Sequence, residues 1–293
     1  MEIGNITINE KIFERHSLPI KILRIIAVPV LNNIPKGFLK KIARASSKDA
    51  FNIVGSVGST HALEVMYGRH SRKLFSRGVL QGIADFFWHH VISQLKAVRN
   101  RLKIVEIALE EELSKRIDGG ENEINILTVG GGSCRAIIHT ISRLAKKHPK
   151  IKIKVTNIDK DARAIELGKK ISTDFAVDNC FKWINDSAFN ISSLIPENSM
   201  DIVEMVGLLD YFDYEKGKNV LTQINNVLKQ NSCFIVANVY PNSEIKFVEN
   251  VGWPRMCYRT KEDFIKLIKD SGFSKLETII EPLRVHIIGL AKK

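Results

Sequence analysis

Three consecutive glycines mark the point in the sequence where main-chain atoms are best placed to bind a ligand. Gly130, Gly131 and Gly132 follow the apolar run Ile126–Val129 and precede Ser133. Because glycine has no side chain, a ligand can approach the backbone here where a larger residue would block it. The same pattern is also typical of a tight turn, so the glycines alone do not define a site.

A carboxylate follows the next strand-like run. Asp159 comes directly after Val155–Ile158. A carboxylate at this point can accept hydrogen bonds from both hydroxyls of an adenosine ribose. The alternative is that Asp159 or Asp161 only caps the following helix. The glycine loop and the acid together, with a helix between them, favour binding of a nucleoside.

Polar residues also follow the third and fourth strand-like runs. Asn185, Asp186 and Ser187 come after the third run. An acidic side chain there can accept a hydrogen bond from the exocyclic amine of adenine, and an Asx turn is the alternative. Gly207 comes after the fourth run. Because ligands of such sheets bind outside the carboxyl ends of the strands, we predict that all four residues contact the nucleoside cofactor.

One position separates two classes of nucleoside cofactor. A dinucleotide fold has a further glycine three residues after Gly132, but Arg135 stands there and is too bulky for close helix–strand packing. S-adenosylmethionine has no pyrophosphate and makes no such demand. The sequence therefore predicts S-adenosylmethionine as the cofactor, and a nicotinamide-dependent reductase is the rival class.

These residues must be positioned by two halves of different character. The first 118 residues predict successive helices, whereas strands and helices alternate from residue 124. Such alternation predicts a mostly parallel sheet covered by helices, and a closing hairpin makes the sheet mixed. We predict an α/β fold in which a Rossmann-like mixed seven-stranded sheet (119–293) follows a helical N-terminal lid or substrate domain (1–118). The predicted strands are 124–129, 151–158, 181–184, 201–206, 233–240, 275–280 and 284–291.

The longest predicted helix runs from about residue 85 to residue 118, with a break near Ser93. Its apolar residues step by three and four along one seam, which consists of Trp88, Val91, Leu95, Val98, Leu102, Val105 and Leu109. Arg99 and Arg101 fall away from this seam, so we expect both on a solvated face, with a clamp on a ligand as the alternative. Earlier in the chain, segment 17–31 predicts an apolar helix that Pro29 interrupts. Core packing of the lid is the favoured interpretation of this segment, and contact with a lipid-like substrate is the alternative.

The second half resembles the class I S-adenosylmethionine-dependent methyltransferases over its whole length. Ile126–Cys134 stands where the first motif of that family stands. Asp159 matches the ribose-binding acid of the family, and Asn185 with Asp186 matches its adenine-binding segment. The resemblance implies an enzyme that transfers the methyl group of S-adenosylmethionine.

Two departures and one narrower match accompany this resemblance. Thr128 occupies a position where the family often has an acid, and Cys134 replaces a small residue, commonly glycine. Residues 201–212 resemble a bacterial methyltransferase subgroup that is similar to proteins of hydroxy-fatty-acid methyl ester biosynthesis, and segments 97–101 and 258–260 fit that pattern. The subgroup implies a small-molecule acceptor, with a carboxylate or hydroxyl on a lipid-like or anionic metabolite.

The candidates for catalysis follow from the demands of methyl transfer. The reaction is an in-line displacement, so the protein mainly aligns acceptor, methyl group and sulfur. A carboxylate acceptor needs no base at neutral pH, whereas an alcohol needs one. Asp210 and Tyr211 follow the fourth strand and are the candidates for a base or an orienting hydrogen-bond partner. The alternative for Asp210 is a cap of the next turn.

Histidines and tyrosines supply the candidates for substrate contacts. His89 and His90 adjoin an aromatic run of the lid, Tyr240 follows the fifth strand and Tyr258 precedes the last helix. The alternative for the histidines is packing or a surface position. The cations of segment 69–72 would be able to hold an anionic group.

The net charge of +12 does not by itself select a partner. A basic surface attracts nucleic acid, anionic lipid or an acidic small molecule. Nucleic acid is not favoured, because the Asn/Asp-Pro-Pro-Tyr/Phe pattern used for exocyclic amino groups does not follow the fourth strand. An RNA methyltransferase and a non-catalytic S-adenosylmethionine-binding protein are the alternatives to a small-molecule methyltransferase.

Hydropathy and cysteine spacing indicate where the protein is located and whether it has disulfides or a metal site. The longest uncharged apolar run is Ile25–Asn33, whereas a spanning helix needs about 20 residues. Met1–Glu10 lacks the apolar run of a secretory signal. We therefore expect a cytoplasmic protein without a transmembrane segment. The four cysteines have no C-x-x-C spacing, so we expect free thiols and no metal site. The oligomeric state is left open.

Overall fold

A computed structural model describes residues 2–3, 6–7, 10–68 and 78–293 of the chain. The cations predicted to bind an anion in segment 69–72 lie outside the described residues. The helices of the first half are α1 (Leu18–Asn33), α2 (Lys36–Ser46), α3 (Lys48–Gly55), α4 (Thr60–Tyr67), α5 (Val79–Phe86) and α6 (Ser93–Asp118). A π-helical turn, Phe87–Val91, connects α5 to α6.

The second half is built on one sheet. Two short strands, β1 (Glu2–Ile3) and β2 (Ile6–Thr7), pair separately near the N-terminus. The strands of the main sheet are β3 (Glu123–Val129), β4 (Lys152–Asp159), β5 (Phe181–Asn185), β6 (Met200–Val206), β7 (Leu228–Val239), β8 (Lys275–Ile280) and β9 (His286–Lys292). Their order is β5-β4-β3-β6-β7-β9-β8, and only the pairs that include β9 are antiparallel. The predicted mixed seven-stranded α/β fold is confirmed.

Helices cover both faces of this sheet, as alternating side-chain directions along buried strands require. They are α6, α7 (Arg135–Lys147), α8 (Ala162–Asp174), α9 (Ile191–Leu194), α10 (Tyr214–Val227) and α12 (Lys261–Asp270). Helix α11 (Ile245–Asn250) packs instead in the core of the helical half. Leu127 and Val203 pack in the core that α10 and α12 close, whereas Ile126 and Ile202 pack in the core that α6 and α7 close. The chain crosses from one side of β3 to the other between β5 and β6, so the site is expected at the carboxyl ends of β3 and its neighbours β4 and β6.

Helix α1 differs from its prediction. It continues through Pro29, because Pro29 and Ile25 lie on the exposed side, where water replaces the bond that proline cannot make. Val28 is its buried residue, so the expectation that this segment packs in the core is wrong for most of the helix. None of the described helices is both long and apolar enough to cross a bilayer.

The predicted break before Ser93 is present, since Ile92 separates the π-helical turn from α6 with an extended backbone. The expectation that Arg99 is solvated is wrong. Its Nε and Nη2 donate to the two carboxylate oxygens of Glu14 at 2.8 and 2.9 Å, and its Nη1 donates to the Met66 carbonyl at 2.9 Å. The segment before α1 lies across this side of α6 and buries it.

Removing the Arg99 guanidinium will test how far this buried pair stabilises the fold. Arg99→Ala leaves Glu14 buried without its bidentate partner, so we expect the free energy of unfolding to fall by about 3–5 kcal/mol. Arg143→Ala is the control, because the Arg143 side chain is 42% exposed where it pairs with Glu106 and Glu110. Its loss should cost no more than about 1 kcal/mol. Urea unfolding followed by circular dichroism measures both, and equal effects would contradict the structural role of Arg99.

Candidate active site

The glycine loop and Asp159 lie against each other at the carboxyl ends of β3 and β4. The N–H groups of Gly132 and Asp161 donate to Asp159 Oδ2 and Oδ1, each at 2.8 Å. Asp161 is the residue that caps α8, because its side chain accepts from the Arg163 N–H at 3.0 Å. Each carboxylate oxygen of Asp159 keeps a lone pair for a further donor, and the residue lines the main cavity.

Steric contacts explain why this loop consists of glycines. A Cβ atom on Gly131 would overlap Thr128 Oγ1, and one on Gly132 would lie 2.8 Å from Thr60 Oγ1 of α4. Cys134 has a φ of 54°, in the left-handed region that favours glycine, which explains why glycine is common there in the family that the sequence resembles. The loop thus presents backbone, not side chains, to the cavity, as a closely held ligand requires.

The segment after β5 is held by local side-chain bonds, but not by the Asx turn of the alternative prediction, in which the carboxylate would accept from the N–H two residues further on. Asp186 Oδ1 accepts from the Ser187 N–H at 2.6 Å and from Asn190 Nδ2 at 2.7 Å. The bond from Asn190 is the main cause that lowers the pKa of Asp186. Asp186 and Ser187 also line the cavity, whereas Asn185 donates from Nδ2 to the Asp159 carbonyl at 3.0 Å. The local bonds go to Oδ1 of Asp186, so they are compatible with a ligand contact at Oδ2.

One cavity joins these features, with a volume of about 520 Å³, within the usual range for small-molecule sites. Its polar wall contains the glycine loop with Ser133, together with Asp159, Asp186 and Gly207. Its apolar wall comes from the helical half and α11, and includes Ile53, Met66, Trp88, Leu95, Val98 and Phe247. The cavity therefore offers a polar region for a nucleoside and an apolar region for a second molecule.

A buried cation faces this cavity, and the expectation that Arg101 is solvated is wrong. Arg101 on α6 is 4% exposed, and its guanidinium would lie 3.5–3.8 Å from a Cβ on Gly207. Its Nη1 is 3.9 Å from Asp210 Oδ2, and its Nε has no hydrogen-bond partner among the described residues. Tyr67 lies beside it, where burial raises the pKa of the phenol. A buried guanidinium with an incomplete set of partners is a candidate anion site.

Sequence reasoning missed Glu204, which lies under the glycine loop. Thr128 and Glu204 are paired in the register of β3 and β6, and Thr128 Oγ1 donates to Glu204 Oε2 at 2.6 Å. Burial raises the pKa of Glu204 to about 7, although the bond from Thr128 and the charge of Arg101 oppose the shift. An acid between the apolar residues Ile202–Val203 and Met205–Val206 of β6 was the signal in the sequence, since buried carboxylates are rare without a partner.

The two catalytic candidates line the cavity. Asp210 Oδ1 accepts from the Val239 N–H at 2.7 Å, and burial raises the pKa of its carboxyl group. The hydroxyl of Tyr211 accepts from Trp253 Nε1 at 3.0 Å, and burial raises its pKa to about 12. Tyr211 is therefore neutral at physiological pH, and its hydroxyl can donate a hydrogen bond.

The four residues predicted to contact substrate lie elsewhere, and none is among the described residues of the cavity wall. His89 Nε2 lies 3.0 Å from Asp49 Oδ2 in the core of the helical half, and the His90 ring stacks on Phe86 with centroids 4.7 Å apart. Tyr240 lies under the Arg284 guanidinium, 5.6 Å from its ring centroid. Tyr258 is half-buried, which raises the pKa of its phenol. Both histidines pack against neighbouring side chains of the helical half, as the alternative prediction for them stated.

Over the described ranges of the chain, no group of His, Cys, Asp and Glu has an arrangement that could hold a metal ion. The four cysteines are free thiols. Cys134 and Cys233 are buried, and burial raises the pKa of both thiols.

The strand order, the glycine loop on β3 and the acid on β4 define the Rossmann-like fold of the α/β methyltransferases. Residues 58–293 match a family described as "Putative methyltransferase". The match spans most of the chain, so the chain belongs to this methyltransferase family. Methyltransferases of this fold use S-adenosylmethionine, which is therefore the cofactor of this chain.

Individual relatives are distant. A tRNA N(3)-cytidine methyltransferase, METTL2, from Xenopus tropicalis is 23% identical over 136 residues, which is 42% of this chain and 40% of the relative. The chain thus matches less than half of that protein. A possible exported protein from Bordetella parapertussis superimposes with a TM-score of 0.64 at 14% identity, covering 84% of this chain and 86% of the other. An O-methyltransferase family protein from Burkholderia thailandensis gives 0.53 at 9% identity, covering 85% and 63%. These structures share the fold.

The steric fit of the glycine loop can be tested by adding one methyl group. Gly131→Ala drives the loop away from Thr128, so we expect the affinity for S-adenosylhomocysteine to fall at least about tenfold in isothermal titration calorimetry. Gly55→Ala is the matched control, because a Cβ there meets no described atom within 4 Å. Wild-type affinity in a folded Gly131→Ala protein would contradict contact between this loop and the cofactor.

Proposed function

We propose that the protein transfers a methyl group from S-adenosylmethionine to a small acidic acceptor with an apolar body. The observation that carries the proposal is that one cavity joins the Gly132–Asp159 pair to the buried, incompletely paired guanidinium of Arg101. The first feature suits an adenosine, and the second suits an anionic acceptor. Arginine side chains are almost never this deeply buried unless they are paired, so the position of Arg101 needs an explanation.

The nucleoside would lie along the polar wall. Asp159 has free lone pairs for the ribose hydroxyls, and Oδ2 of Asp186 can accept from the exocyclic amine of adenine, since the bonds from Ser187 and Asn190 go to Oδ1. Gly130 to Ser133 would leave room for the backbone approach of the methionine portion. The family acid that Thr128 replaces has a substitute in Glu204, which Thr128 holds at 2.6 Å. We propose that Glu204 pairs with the ammonium group of the cofactor.

Arg101 would hold the acceptor. Its side chain is 4% exposed and borders the same cavity as Leu95, Val98 and Trp88. An acid whose carboxylate meets the guanidinium would place its hydrocarbon against this apolar wall. A lipid-like acid satisfies both demands, in agreement with the narrower sequence resemblance to hydroxy-fatty-acid methyl ester biosynthesis. Other amphipathic acids satisfy them as well.

When bound, S-adenosylmethionine supplies an electrophilic methyl group and a leaving group that takes the electron pair of the broken carbon–sulfur bond. A carboxylate acceptor uses its own lone pair and loses no proton, so the chain needs only to align it. Asp210, fixed by the Val239 N–H and lying 3.9 Å from Arg101, would orient the guanidinium. The Tyr211 hydroxyl, neutral because its pKa is about 12, would donate to the second acceptor oxygen.

A hydroxyl acceptor would require a base. Asp210 is the group available, since burial raises the pKa of its carboxyl group and thereby makes it a better proton acceptor. Methylation of a carboxylate needs no base, whereas methylation of a hydroxyl would need Asp210 to accept a proton in addition to its main-chain hydrogen bond. We therefore favour a carboxylate as the group that accepts the methyl.

The helical half would act as the lid of this site, with the boundary at Gly119. Glu64 on α4 accepts from Ser133 Oγ at 2.6 Å and pairs with Arg135 on α7, so α4 is tied to the glycine loop. Its neighbour Thr60 lies against Gly132. Water would be excluded from the reacting atoms by this cover, which strengthens electrostatic contacts inside the cavity.

An RNA acceptor is the second candidate. The tRNA methyltransferase relative and the net charge of +12 favour it. The apolar wall of the cavity favours the small acid, because a nucleotide would bring polar groups against Trp88, Leu95 and Val98. The acceptor assay below separates the two.

The pKa of Glu204 generates a pH dependence. Only its ionised form pairs with an ammonium group, so the affinity for S-adenosylhomocysteine should rise about five- to tenfold from about pH 6 to about pH 7.5. The folded, cofactor-free protein binds this proton more tightly than the unfolded chain, so its stability should decrease as pH rises from the ordinary pKa of glutamate to about 7.

Glu204→Gln should weaken binding and remove both pH effects, as measured by calorimetry and by urea unfolding over the same pH range. Glu110→Gln is the control, because Glu110 pairs with Arg143 and Lys147 on the outside of α6. A Glu204→Gln protein that keeps the wild-type pH dependence of binding would remove Glu204 from the cofactor site.

The acceptor assay uses cofactor with a tritiated methyl group and decanoic acid, hydroxylated decanoic acid or decanol. We expect label on the acids and not on decanol. Mild alkali should release it, since methyl esters hydrolyse and methyl ethers do not. Arg101→Gln should raise KM for the acid by at least about tenfold, with a smaller change in kcat. Because Arg101 also lowers the pKa of Glu204, the affinity of this variant for S-adenosylhomocysteine is compared with wild type at about pH 8.5, where Glu204 is ionised and we expect a much smaller change. Asp159→Ala, which lacks the ribose acid, is the cofactor control.

Each other outcome of this assay has a meaning. Label in bulk tRNA and in none of the acids would favour the RNA alternative. Binding of S-adenosylhomocysteine without transfer to acid or RNA would favour a non-catalytic cofactor-binding protein. An unchanged KM in Arg101→Gln would remove Arg101 from the acceptor site.

A further inference from the structure

Helix α1 has an apolar outer face that nothing in the described structure covers. Its five most exposed large apolar residues are each between 56% and 72% accessible and recur at helical spacing: Leu18, Ile22, Ile25, Ile26 and Val30. Phe38 on α2 continues the pattern with 60% exposure. The surface of a soluble protein ordinarily shows single exposed apolar side chains. Several of them together on one helix therefore mark an interaction surface.

The inner face of α1 is already fixed to the body of the protein. Arg24 pairs with Glu244 and donates to the Val91 carbonyl, and Asn32 Nδ2 donates to the Ser243 carbonyl at 2.8 Å. The outer face therefore cannot turn inward by rotation of the helix without loss of these contacts. A covering partner must come from outside.

The charge around this face has one sign. Between Glu14 and Asp49 the sequence contains eight Lys or Arg and no Asp or Glu. Lys21, Lys36 and Lys41 are among the exposed cations of this segment. An apolar helical face with cations at its border is the pattern of helices that lie in the interface of an anionic membrane.

We propose that α1 and α2 dock the protein on the surface of an anionic lipid bilayer. Helix α1 lies in the plane of the interface with its outer apolar face among the acyl chains. At 16 residues it is about 24 Å long, shorter than the roughly 30 Å hydrocarbon core, so it lies on the membrane and does not cross it. The lysines meet the lipid phosphates.

A second copy of the chain fits this face less well. A symmetric pair would bring the same surface of two molecules together. Lys21, Lys36 and Lys41 would then face the same cations of the partner, and the segment offers no acid to neutralise them. An anionic bilayer supplies both the apolar contact and the opposite charge.

The test is sedimentation of the full chain with vesicles of phosphatidylcholine alone or mixed with phosphatidylglycerol. We expect binding to the anionic vesicles that is at least about tenfold stronger than to neutral ones and that weakens as salt is raised. An Ile22→Ser/Ile25→Ser/Ile26→Ser variant and a Lys21→Glu/Lys36→Glu/Lys41→Glu variant should each lose at least about tenfold in affinity.

Matched controls keep the result specific. Lys150→Glu/Lys170→Glu/Lys182→Glu removes the same charge from exposed positions of the second half and should retain binding well above that of the first charge variant. Phe175→Ser removes an exposed aromatic side chain outside α1 and α2 and should also retain it. Melting temperature and S-adenosylhomocysteine affinity, measured on each variant, separate loss of docking from loss of fold or cofactor site.

Three results would overturn the proposal. The first is wild-type protein that stays in solution with anionic vesicles. The second is equal loss of binding in the two lysine variants, which would reduce the effect to net charge. The third is a wild-type dimer that the isoleucine variant converts to a monomer in light scattering, which would make the face an interface between copies. None of these results depends on the methyl acceptor.

Discussion

The contact between the Gly132 N–H and the Asp159 carboxylate fixes the geometry on which the site depends. It joins the ends of two neighbouring parallel strands, so the loop after β3 and the acid after β4 hold one position relative to each other. Glycine is required because Thr60 of α4 and Thr128 of β3 occupy the space that side chains would need. The cavity therefore begins at this contact. Because Thr60 of α4 lies against Gly132, the loop also limits how closely α4 can approach the sheet.

The electrostatics of the cavity follow from how few charges are buried there. Arg101 has Asp210 at 3.9 Å and Glu204 within the same cavity, and burial raises the pKa of both carboxyl groups. In a low dielectric each charge acts strongly on the others. An added anion near Arg101, or an added cation near Glu204, therefore changes the electrostatic energy of all the charged groups in the cavity. Arg99, two residues away, instead pairs with the carboxylate of Glu14, so the two neighbouring arginines differ: Arg99 is paired within the fold, whereas Arg101 faces the cavity.

Most of the fold could be predicted from the sequence because periodicity reports local burial. Alternating and helical apolar patterns located the seven strands of the sheet and the α6 seam, and Ile92 provided the break near Ser93. The same reasoning failed for Arg99 and Arg101, since their burial depends on a distant segment and on a cavity. Strand-end positions pointed to Asp159, Asp186 and Asp210, which all line the cavity and whose roles stay predictions. Glu204 could be recognised as a cavity residue only from the pairing of β6 with β3. The structure places His89 and His90 away from the cavity, because an aromatic run in a helix does not indicate which side of the helix faces a ligand.

The cavity and the outer face of α1 are connected through one turn of the chain. Arg24 of α1 donates to the carbonyl of Val91, and the π-helical turn that ends at Val91 also carries Trp88 of the apolar cavity wall. A helix held by an interface would therefore hold this turn through a charged hydrogen bond, and with it the wall against which an acceptor packs. An acid with a long hydrocarbon body is scarce in water and abundant at a membrane surface, because burial of each methylene group is favourable by about 0.8 kcal/mol. Placing the apolar wall beside the bilayer shortens the path of such an acceptor through water, which links the two apolar features of the helical half by one physical cause.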